Sequence, residues 1–335
     1  MACLLLRPDV MGALVLGATG FVGRALVPAL LAAGERVRAA SRNPGNPGVG
    51  PEWVQCDVRA PDTLPRALAG IDCIYYLVHS MGERGDDFRA VERRSAEAVI
   101  CAAAESGCRR IVYLGGVEPS GLPSEHLASR LEVGAILRAG SVPTLELRAA
   151  MIIGNGSVSW QILRDLALRL PFMVLPRWLD SKSCPIALPD VVTALLDARR
   201  VSLERSAWFD IPGPDVLSAR EMIMQVAELE GRRIPAVRVP LLTPRLSAGW
   251  LRLVSGADYH VARELVLGLR DDLLPRDRRY WQVSGRAPRW SFRAAAEQAL
   301  QTELPRPGAA GWLSRREENM MRHFGTRSLE PRPRG

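Results

Sequence analysis

Residues 13–23 read A-L-V-L-G-A-T-G-F-V-G, a short apolar run followed by three glycines spaced three residues apart. The run predicts a buried β-strand, and helical periodicity begins directly after the last glycine. In such a unit Gly17 permits a tight turn, Gly20 lets backbone N–H groups approach a phosphate, and Gly23 lets helix and strand pack closely. The helix N-terminus then faces the phosphate charge. We therefore expect a dinucleotide pyrophosphate to bind this loop, whose residues are Gly17, Ala18, Thr19, Gly20, Phe21, Val22 and Gly23.

The pattern of apolar run and helical stretch repeats through the first 150 residues. Five further runs, bounded by turn residues, are mostly apolar without alternation, as expected of parallel strands covered on both faces. The stretches 90–104 and 124–139 between them have helical spacing. The sequence therefore predicts an α/β protein with a Rossmann-like, doubly wound parallel sheet, whose strands are 13–16, 36–40, 53–56, 73–78, 110–114 and 144–147.

Beyond residue 150 helical periodicity dominates, and strand candidates are short, at 208–211 and 237–239. We interpret this part as a smaller, mostly helical substrate region that covers the ends of the sheet. Residues 1–10 carry no pattern, so Met11 is as good a translation start as Met1. The predicted organisation is an N-terminal extension at 1–11, an NAD(P)-binding Rossmann domain at 12–150, a substrate or cap region at 151–305, and a basic, partly disordered tail at 306–335.

Composition excludes several classes of protein. The six cysteines form no C-x-x-C pair and there are only four histidines, so neither a zinc site nor a disulfide framework is indicated. No apolar run reaches the roughly 18 residues of a membrane span. These features favour a cytoplasmic protein with a small-molecule substrate, and they leave its oligomeric state open.

The net charge of +8 is concentrated near the C-terminus, where residues 270–335 hold 14 arginines against 8 acidic residues. Such a segment could bind nucleic acid, but acidic residues are interspersed and aromatic residues are sparse. A solvated surface of an arginine-rich protein is the simpler interpretation, so no nucleic-acid partner is expected.

The second predicted strand indicates which dinucleotide is preferred. NAD-specific proteins place Asp or Glu at its end, whereas this chain reads R-A-A-S-R at 38–42. An acidic side chain would repel a 2′-phosphate, while arginine and serine donate hydrogen bonds to it. We expect NADP(H) to be preferred over NAD(H), through Arg38, Ser41 or Arg42; alternatively, these arginines are merely exposed.

Further cofactor contacts are predicted from the ends of the next strands. Asp57 follows the third strand, where a carboxylate accepts a hydrogen bond from the adenine amino group. The ends of later strands form the rim at which ligands bind in open α/β sheets. The expected contacts are Asp57, Val58, Leu77, Val78, His79, Gly115 and Gly116.

Taken together, these residues resemble the atypical short-chain dehydrogenase/reductase superfamily, in its NmrA-like branch, and are similar to YbjT-like NAD(P)-binding proteins. The resemblance spans about residues 12–300 and implies a Rossmann fold, NAD(P) binding and oxidoreductase activity. The glycine loop at 14–23 is common to the superfamily, whereas the motifs at 76–82 and 147–157 are more particular to the branch. The motifs are L-V-L-G-A-T-G-F-V-G at 14–23, Y-L-V-H-S-M-G at 76–82, H-L-A-S-R at 126–130, L-R-A-A-M-I-I-G-N-G-S at 147–157 and P-R-W at 176–178.

The chain departs from the superfamily in its catalytic residues. Most catalytic members use a Tyr-x-x-x-Lys pair, but here no tyrosine lies four residues before Lys182, the only lysine. His126 and Arg130 occupy the corresponding helix, where positions i and i+4 share a face. His126 could act as a general acid and Arg130 could hold the nicotinamide ribose. Equally, His126 could lie on the helix surface with Arg130 paired to Glu125 or Glu132.

His79 is a second catalytic candidate.

Polar residues near the sixth strand could complete a substrate pocket, and three large apolar residues could form its wall. Both groups could equally belong to the core. The polar ones are Arg148, Asn155 and Ser157, and the apolar ones are Trp160, Met173 and Trp178.

Two functions fit these observations. The first is an NAD(P)H-dependent reductase that acts on a small carbonyl or quinone-like substrate. The second is a non-catalytic NADP(H)-binding redox sensor, or an assembly or regulatory protein, which the missing Tyr-x-x-x-Lys pair favours.

Overall fold

The computed structural model describes residues 12–44, 50–79, 88–169, 173–175, 177–233, 235–238 and 270–302. Its strands, numbered along the chain, are Gly12–Leu16 (β1), Val37–Ser41 (β2), Glu52–Gln55 (β3), Ile71–Tyr76 (β4), Arg110–Gly116 (β5), Thr144–Ala149 (β6), Ile152–Ile153 (β7), Met173–Leu175 (β8), Lys182–Ser183 (β9), Ile186–Ala187 (β10), Ala207–Asp210 (β11), Leu217–Ser218 (β12) and Ala236–Arg238 (β13).

Nine α-helices lie in the described part of the chain. They are Phe21–Ala32 (α1), Leu64–Leu68 (α2), Phe88–Glu105 (α3), Glu125–Ala139 (α4), Val158–Arg169 (α5), Leu188–Ala198 (α6), Ala219–Leu229 (α7), Tyr280–Val283 (α8) and Phe292–Gln301 (α9).

Seven strands form one parallel sheet in the order β11-β6-β5-β4-β1-β2-β3. The chain builds outward from β1 in one direction and then from β4 in the other, so the order reverses between these two neighbours. A crevice forms at such a reversal, beyond the carboxyl ends of the strands, and ligands of open α/β sheets bind there. The predicted doubly wound, Rossmann-like fold is confirmed.

The two faces of the sheet are covered by different helices. Ala13 and Val15 of β1 belong to the core cluster that also contains residues of α1 and α6. Leu14 and Leu16 point to the opposite face, into the cluster formed with residues of α2, α3 and α4. Burial on both faces explains why the predicted strands are apolar without alternation.

A second, smaller core lies beyond the sheet. It is built mainly from the apolar faces of α5, α7 and α9, and Trp160, Met222 and Phe292 are its large buried residues. This is the predicted mostly helical C-terminal region. Ser218 caps α7 and Glu221 bonds back to the backbone N–H of Ser218, a capping box that defines where this helix begins.

The seventh strand of the sheet, β11, comes from residues 207–210 and pairs with β6. The sheet thus includes a strand from beyond residue 150, and α6, which also lies beyond that point, covers one of its faces. The division into domains at residue 150 stays a prediction. The predictions for residues 1–11 and 306–335 concern segments outside the described residues.

Among the described helices, none combines the length and the apolar character needed to cross a membrane.

Candidate dinucleotide site

The glycine loop between β1 and α1 has a backbone that only glycine fits at two positions. Gly17 has a φ of 86°, and a Cβ there would lie 2.9 Å from the carbonyl carbon and oxygen of Leu77. A Cβ on Gly23 would lie 2.2 Å from the carbonyl oxygen of Gly17. The loop is therefore pressed between the end of β4 and the first turn of α1.

Helix α1 begins at this loop without a side-chain cap. Its N-cap residue, Gly20, has no side chain that could accept a hydrogen bond from the first N–H groups of the helix. The first turn of the helix also contains no acidic residue. The first N–H groups of a helix have no partner within the helix, and together with the helix dipole they favour an anion. The local structure fits a pyrophosphate at this position.

A cavity of about 730 Å³ opens above the loop at the point where the strand order reverses. Its volume lies within the range of about 300–1,000 Å³ typical of ligand pockets. We call it the switch-point cavity, and it is lined by Leu16, Gly17, Thr19, Gly20, Ala40, Ser41, Arg42, Asn43, Cys56, Asp57, Val58, Arg59, Leu77, Val78 and His79. Ten of the residues predicted from the sequence therefore lie together.

Arg38 is the clearest predicted residue that lies elsewhere. Its Nε forms an ion pair with Glu52 at 2.9 Å, and its Nη1 donates to the carbonyl oxygens of Ala67 and Ala69 at 2.9 and 2.7 Å. These carbonyls belong to the C-terminal end of α2 and the residue after it, where cations are favoured. Because its side chain binds this helix end, Arg38 is not among the residues that line the switch-point cavity. Its expected contact with a 2′-phosphate stays a prediction, which these contacts do not favour.

Gly115 and Gly116 also lie outside the lining of the cavity. A Cβ on Gly115 would lie 2.8 Å from Oε1 of Glu146, and one on Gly116 would lie 2.6 Å from Cδ1 of Leu127. The absence of side chains at the end of β5 makes room for a buried carboxylate and for helix α4. This packing accounts for both glycines without a cofactor.

Asp57 is held by a neighbouring arginine at the end of the cavity beside β3. Its Oδ1 accepts hydrogen bonds from the backbone N–H and Nε of Arg59 at 3.0 and 3.2 Å, and its Oδ2 accepts one from Nη2 at 3.1 Å. Burial alone would raise the pKa of Asp57. The hydrogen bonds from Arg59 and the charges of Arg59 and Arg42 outweigh burial and leave this pKa below its ordinary value.

The opposite end of the cavity contains the histidine at the end of β4. Nη2 of Arg130 lies 2.5 Å from Nε2 of His79. An arginine can only donate, so Nε2 of His79 accepts and the ring carries its proton on Nδ1. Burial lowers the pKa of His79 well below its ordinary value, and the nearby charges of Arg130 and His126 lower it further. His79 is therefore a neutral imidazole near pH 7.

His126 and Arg130 both lie on α4, as predicted, but neither is among the residues that line the cavity. The ring of His126 stacks on Phe88 of α3, with centroids 4.7 Å apart and planes inclined by 28°. Glu132, one alternative partner of Arg130, forms ion pairs with Arg89 and Arg93 instead, each at 2.8 Å. Arg130 is thus directed toward His79 and the end of the sheet.

The residues expected to complete a substrate pocket have structural partners. Arg148 is buried, with its Nε 2.8 Å from Glu146 and its guanidinium 4.2 Å from the Trp208 ring. Asn155 donates to the carbonyl of Thr302 at 2.8 Å. Ser157 Oγ accepts from the N–H of Trp160, which lies in the second core. The side chains of Met173 and Trp178 lie outside the described part.

Five residues of the cavity lining were not predicted as cofactor contacts, and Arg59 is the charged one among them. Arg59 follows Asp57, a predicted cofactor contact, by two positions. The sequence around it has no periodicity from which the direction of its side chain could be predicted. Only the folded loop, in which Thr63 Oγ1 accepts from Asp57 N–H and donates to the Ala60 carbonyl, brings it to the cavity.

Comparison with known proteins agrees with this site. Residues 17–169 match the model of a family described as NAD(P)H-binding. A short-chain dehydrogenase/reductase superfamily protein from Agrobacterium tumefaciens with bound NAD has the same fold, with a TM-score of 0.63 and 18% identity over 92% of this chain and 99% of that one. The first half of the chain thus matches an NAD(P)H-binding family, and the chain shares the fold of a short-chain dehydrogenase/reductase protein, as the resemblance found in the sequence implied.

Two curated relatives share part of the sequence. A ceramide reductase of Caulobacter vibrioides is 33% identical over 169 residues, which are 48% of this chain and 52% of the relative. A sterol demethylase protein B of Methylococcus capsulatus is 32% identical over 128 residues, which are 35% of this chain and 39% of the relative. The chain thus matches about two fifths to one half of the length of these relatives.

Proposed function

We propose that the protein is an NADPH-dependent reductase of a small, largely apolar carbonyl or quinone-like compound. The observation that carries this proposal is that His79, which lines one end of the switch-point cavity, contacts Arg130 and lies near His126, while the other end holds the adenosine-binding candidates. A dinucleotide that spans the cavity would therefore meet a proton donor and a fixed cation at its reactive end.

The residues present fit the cofactor along its whole length. The glycine loop would hold the pyrophosphate, Asp57 the adenine amino group, Ser41 and Arg42 the 2′-phosphate, and Arg130 the nicotinamide ribose. NADPH, when bound, supplies the hydride. Without an acidic side chain at the end of β2, the adenosine end favours NADP(H) over NAD(H).

The chain itself supplies the proton and the orientation. His126 can donate a proton to the substrate oxygen as a general acid. Arg130 stays charged, so it serves as a cation and not as an acid. The neutral His79 accepts a hydrogen bond from Arg130 and so fixes the direction of the guanidinium, the role of a positioning residue.

The substrate class is supported by the names of the two relatives, which refer to a ceramide and a sterol, both lipids. We accordingly include keto lipids among the candidate carbonyl compounds. The proposal places the protein in the cytoplasm, where NADPH is available, and involves no nucleic acid.

A non-catalytic NADP(H) sensor is the second candidate. Among the described residues, Tyr75, Tyr76, Tyr113 and Tyr280 are all buried, and burial raises the pKa of each hydroxyl above its ordinary value. None of them can play the part of the superfamily's catalytic tyrosine. A sensor would need only the cofactor contacts.

NADPH oxidation by the pure protein separates the two candidates. Aldehydes, quinones and keto lipids would be offered as acceptors to the wild type, to His126→Ala and to Glu125→Ala, a control on the exposed side of the same turn. We expect the loss of the general acid to lower kcat by about 100-fold or more, with Glu125→Ala unchanged. Equal rates in all three proteins would remove His126 from the mechanism. Tight NADPH binding with no oxidation by any acceptor would favour the sensor.

A further inference from the structure

The adenosine end of the switch-point cavity contains two arginines that come from different strands. Arg42 follows β2, and Arg59 lies on the loop after β3. Both line the cavity, together with Ser41, Asn43 and Asp57. A ligand group bound between the two loops therefore faces positive charge from both sides.

Asp57 does not cancel this charge. Among the described residues of the cavity lining it is the only acidic one, and two are arginines. Its carboxylate holds Arg59 through Nε and Nη2, so one pair is neutral and one positive charge remains. The local charge suits a group more strongly anionic than a hydroxyl.

The ion pair with Asp57 also orders Arg59. A free arginine side chain loses rotamer freedom when a ligand fixes it, whereas a guanidinium already held by a carboxylate has less to lose. The Asp57 loop is ordered in turn by Thr63, whose hydroxyl bonds three backbone groups of the loop. Arg59 is thus a preorganised cation at the cavity wall.

We propose that Arg59 is a second arginine for the 2′-phosphate of the cofactor, so that selectivity for NADPH is shared between Arg42 and Arg59. This inference rests on the proposed preference for NADP(H). Charge-assisted hydrogen bonds from guanidinium groups to phosphate are among the stronger polar contacts, and two arginines bracket a phosphate better than one. Arg38, which the sequence favours equally, is engaged with Glu52 and the end of α2.

A competing role for Arg59 is to position Asp57 for the adenine amino group. Adenine is common to NADPH and NADH, so that role predicts equal weakening of both cofactors by a substitution. A phosphate contact predicts weakening of NADPH alone. The ratio of the two dissociation constants therefore distinguishes the roles.

The experiment is a titration of NADPH and NADH, and of 2′,5′-ADP and 5′-AMP as fragments with and without the phosphate. The proteins are the wild type, Arg42→Ala, Arg59→Ala, Arg59→Lys and Arg66→Ala, the last being an exposed arginine of α2 outside the cavity. Circular dichroism melting of each variant confirms that it is folded. We expect Arg59→Ala to raise the Kd of NADPH and 2′,5′-ADP about tenfold and to change NADH and 5′-AMP less than about twofold.

The remaining variants make the result unambiguous. Arg59→Lys should recover part of the NADPH affinity, and Arg66→Ala should behave as wild type. If Arg59→Ala raised the Kd of NADPH and NADH equally, or changed neither, the proposed role of Arg59 would be overturned. The preference for NADP(H) would still be supported in that case if Arg42→Ala lost selectivity for NADPH. A wild type that binds NADH as well as NADPH would overturn the proposed preference itself.

Discussion

Arg130 donates a hydrogen bond through Nη2 to Nε2 of His79 and so joins helix α4 to the end of β4 across 51 residues of sequence. The contact requires a neutral imidazole, since a protonated one would have two donors and a charge of the same sign as the guanidinium. The hydrogen bond between Arg130 and His79 therefore depends on pH.

We expect His79 to make folding stability fall at acidic pH. Its pKa is lower in the folded protein than the unfolded value of about 6.5, so the unfolded chain binds the proton first as pH falls. Stability is therefore full above about pH 6.5 and is lost as pH falls toward the folded pKa. Between about pH 7.5 and pH 5.5 the wild type should lose about 1 kcal/mol relative to His79→Gln, which keeps an acceptor for Arg130 without titrating.

Urea denaturation of both proteins at several pH values measures this difference. His79→Gln still contains the other titrating groups, so it serves as the matched reference. Parallel stability profiles across the range would mean that His79 is protonated as easily in the folded protein as in the unfolded chain.

Gly23→Ala should abolish cofactor binding. The new Cβ would lie 2.2 Å from the Gly17 carbonyl oxygen and 2.8 Å from Cα of Ala18, so the loop and α1 must move apart. We expect the Kd of NADPH to rise at least about 100-fold, because the helix N-terminus no longer meets the pyrophosphate.

The control for Gly23→Ala is Ala32→Gly at the exposed end of the same helix. It weakens the helix by about 0.5–1 kcal/mol without touching the loop. Its NADPH affinity in calorimetric titration should match that of the wild type. If both variants lost affinity alike, helix stability and not loop geometry would explain the effect.

Arg42→Asp should change the preference between the two cofactors, whereas Arg38→Ala should change thermal stability. Arg42 lines the cavity, so an acidic replacement should weaken NADPH at least about tenfold and leave NADH nearly unchanged. Arg38 supports Glu52 and the end of α2, so its removal should lower the melting temperature and leave the preference between cofactors intact. Fluorescence titration and thermal melting of both variants test the pair, and the same change in cofactor preference in both would contradict it.

Glu146→Ala should destabilise the fold strongly. This carboxylate is fully buried and binds Arg138 and Arg148, which the substitution would leave without their shared counter-charge. We expect a loss of about 3–5 kcal/mol in the free energy of unfolding. Gly134→Ala should act on the same carboxylate, since its Cβ would lie 2.5 Å from Oε1.

Glu228→Ala is the control for the buried network. Glu228 forms an exposed ion pair with Arg293 at 3.5 Å, and such pairs contribute about 0–1 kcal/mol. Chemical denaturation of all three variants gives the comparison. A loss in Glu146→Ala no larger than in Glu228→Ala would show that the buried arginines find other partners.

The sheet and the glycine loop were predictable because their signals are local. Most strands up to residue 150 are short and mainly apolar, and each was predicted within a few residues of its observed limits. Strand β11 was predicted as a strand but not as part of this sheet. Its pairing with β6 depends on contacts about 60 residues apart, which periodicity does not encode.

The site was predictable in part for a related reason. Residues at strand ends gather at one rim by topology, which placed Ser41, Asp57 and His79 correctly in one cavity. Arg38 lies near the start of β2, three residues before Ser41, and its ion pair with Glu52 directs its side chain away from that rim. The contact of His79 with Arg130 likewise arises only when α4 packs on the sheet.

The sheet also has a consequence for how the chain folds during synthesis. Its face beside α1 is completed by Tyr280 and Trp281, whose side chains donate hydrogen bonds to the carbonyls of Ala194 and Pro212. Until these two residues have emerged from the ribosome, apolar surface around β11 and α6 has no cover. Residues near the end of the described chain thus complete a core to which the first strand already contributes. The nascent chain can aggregate until those residues have been synthesised.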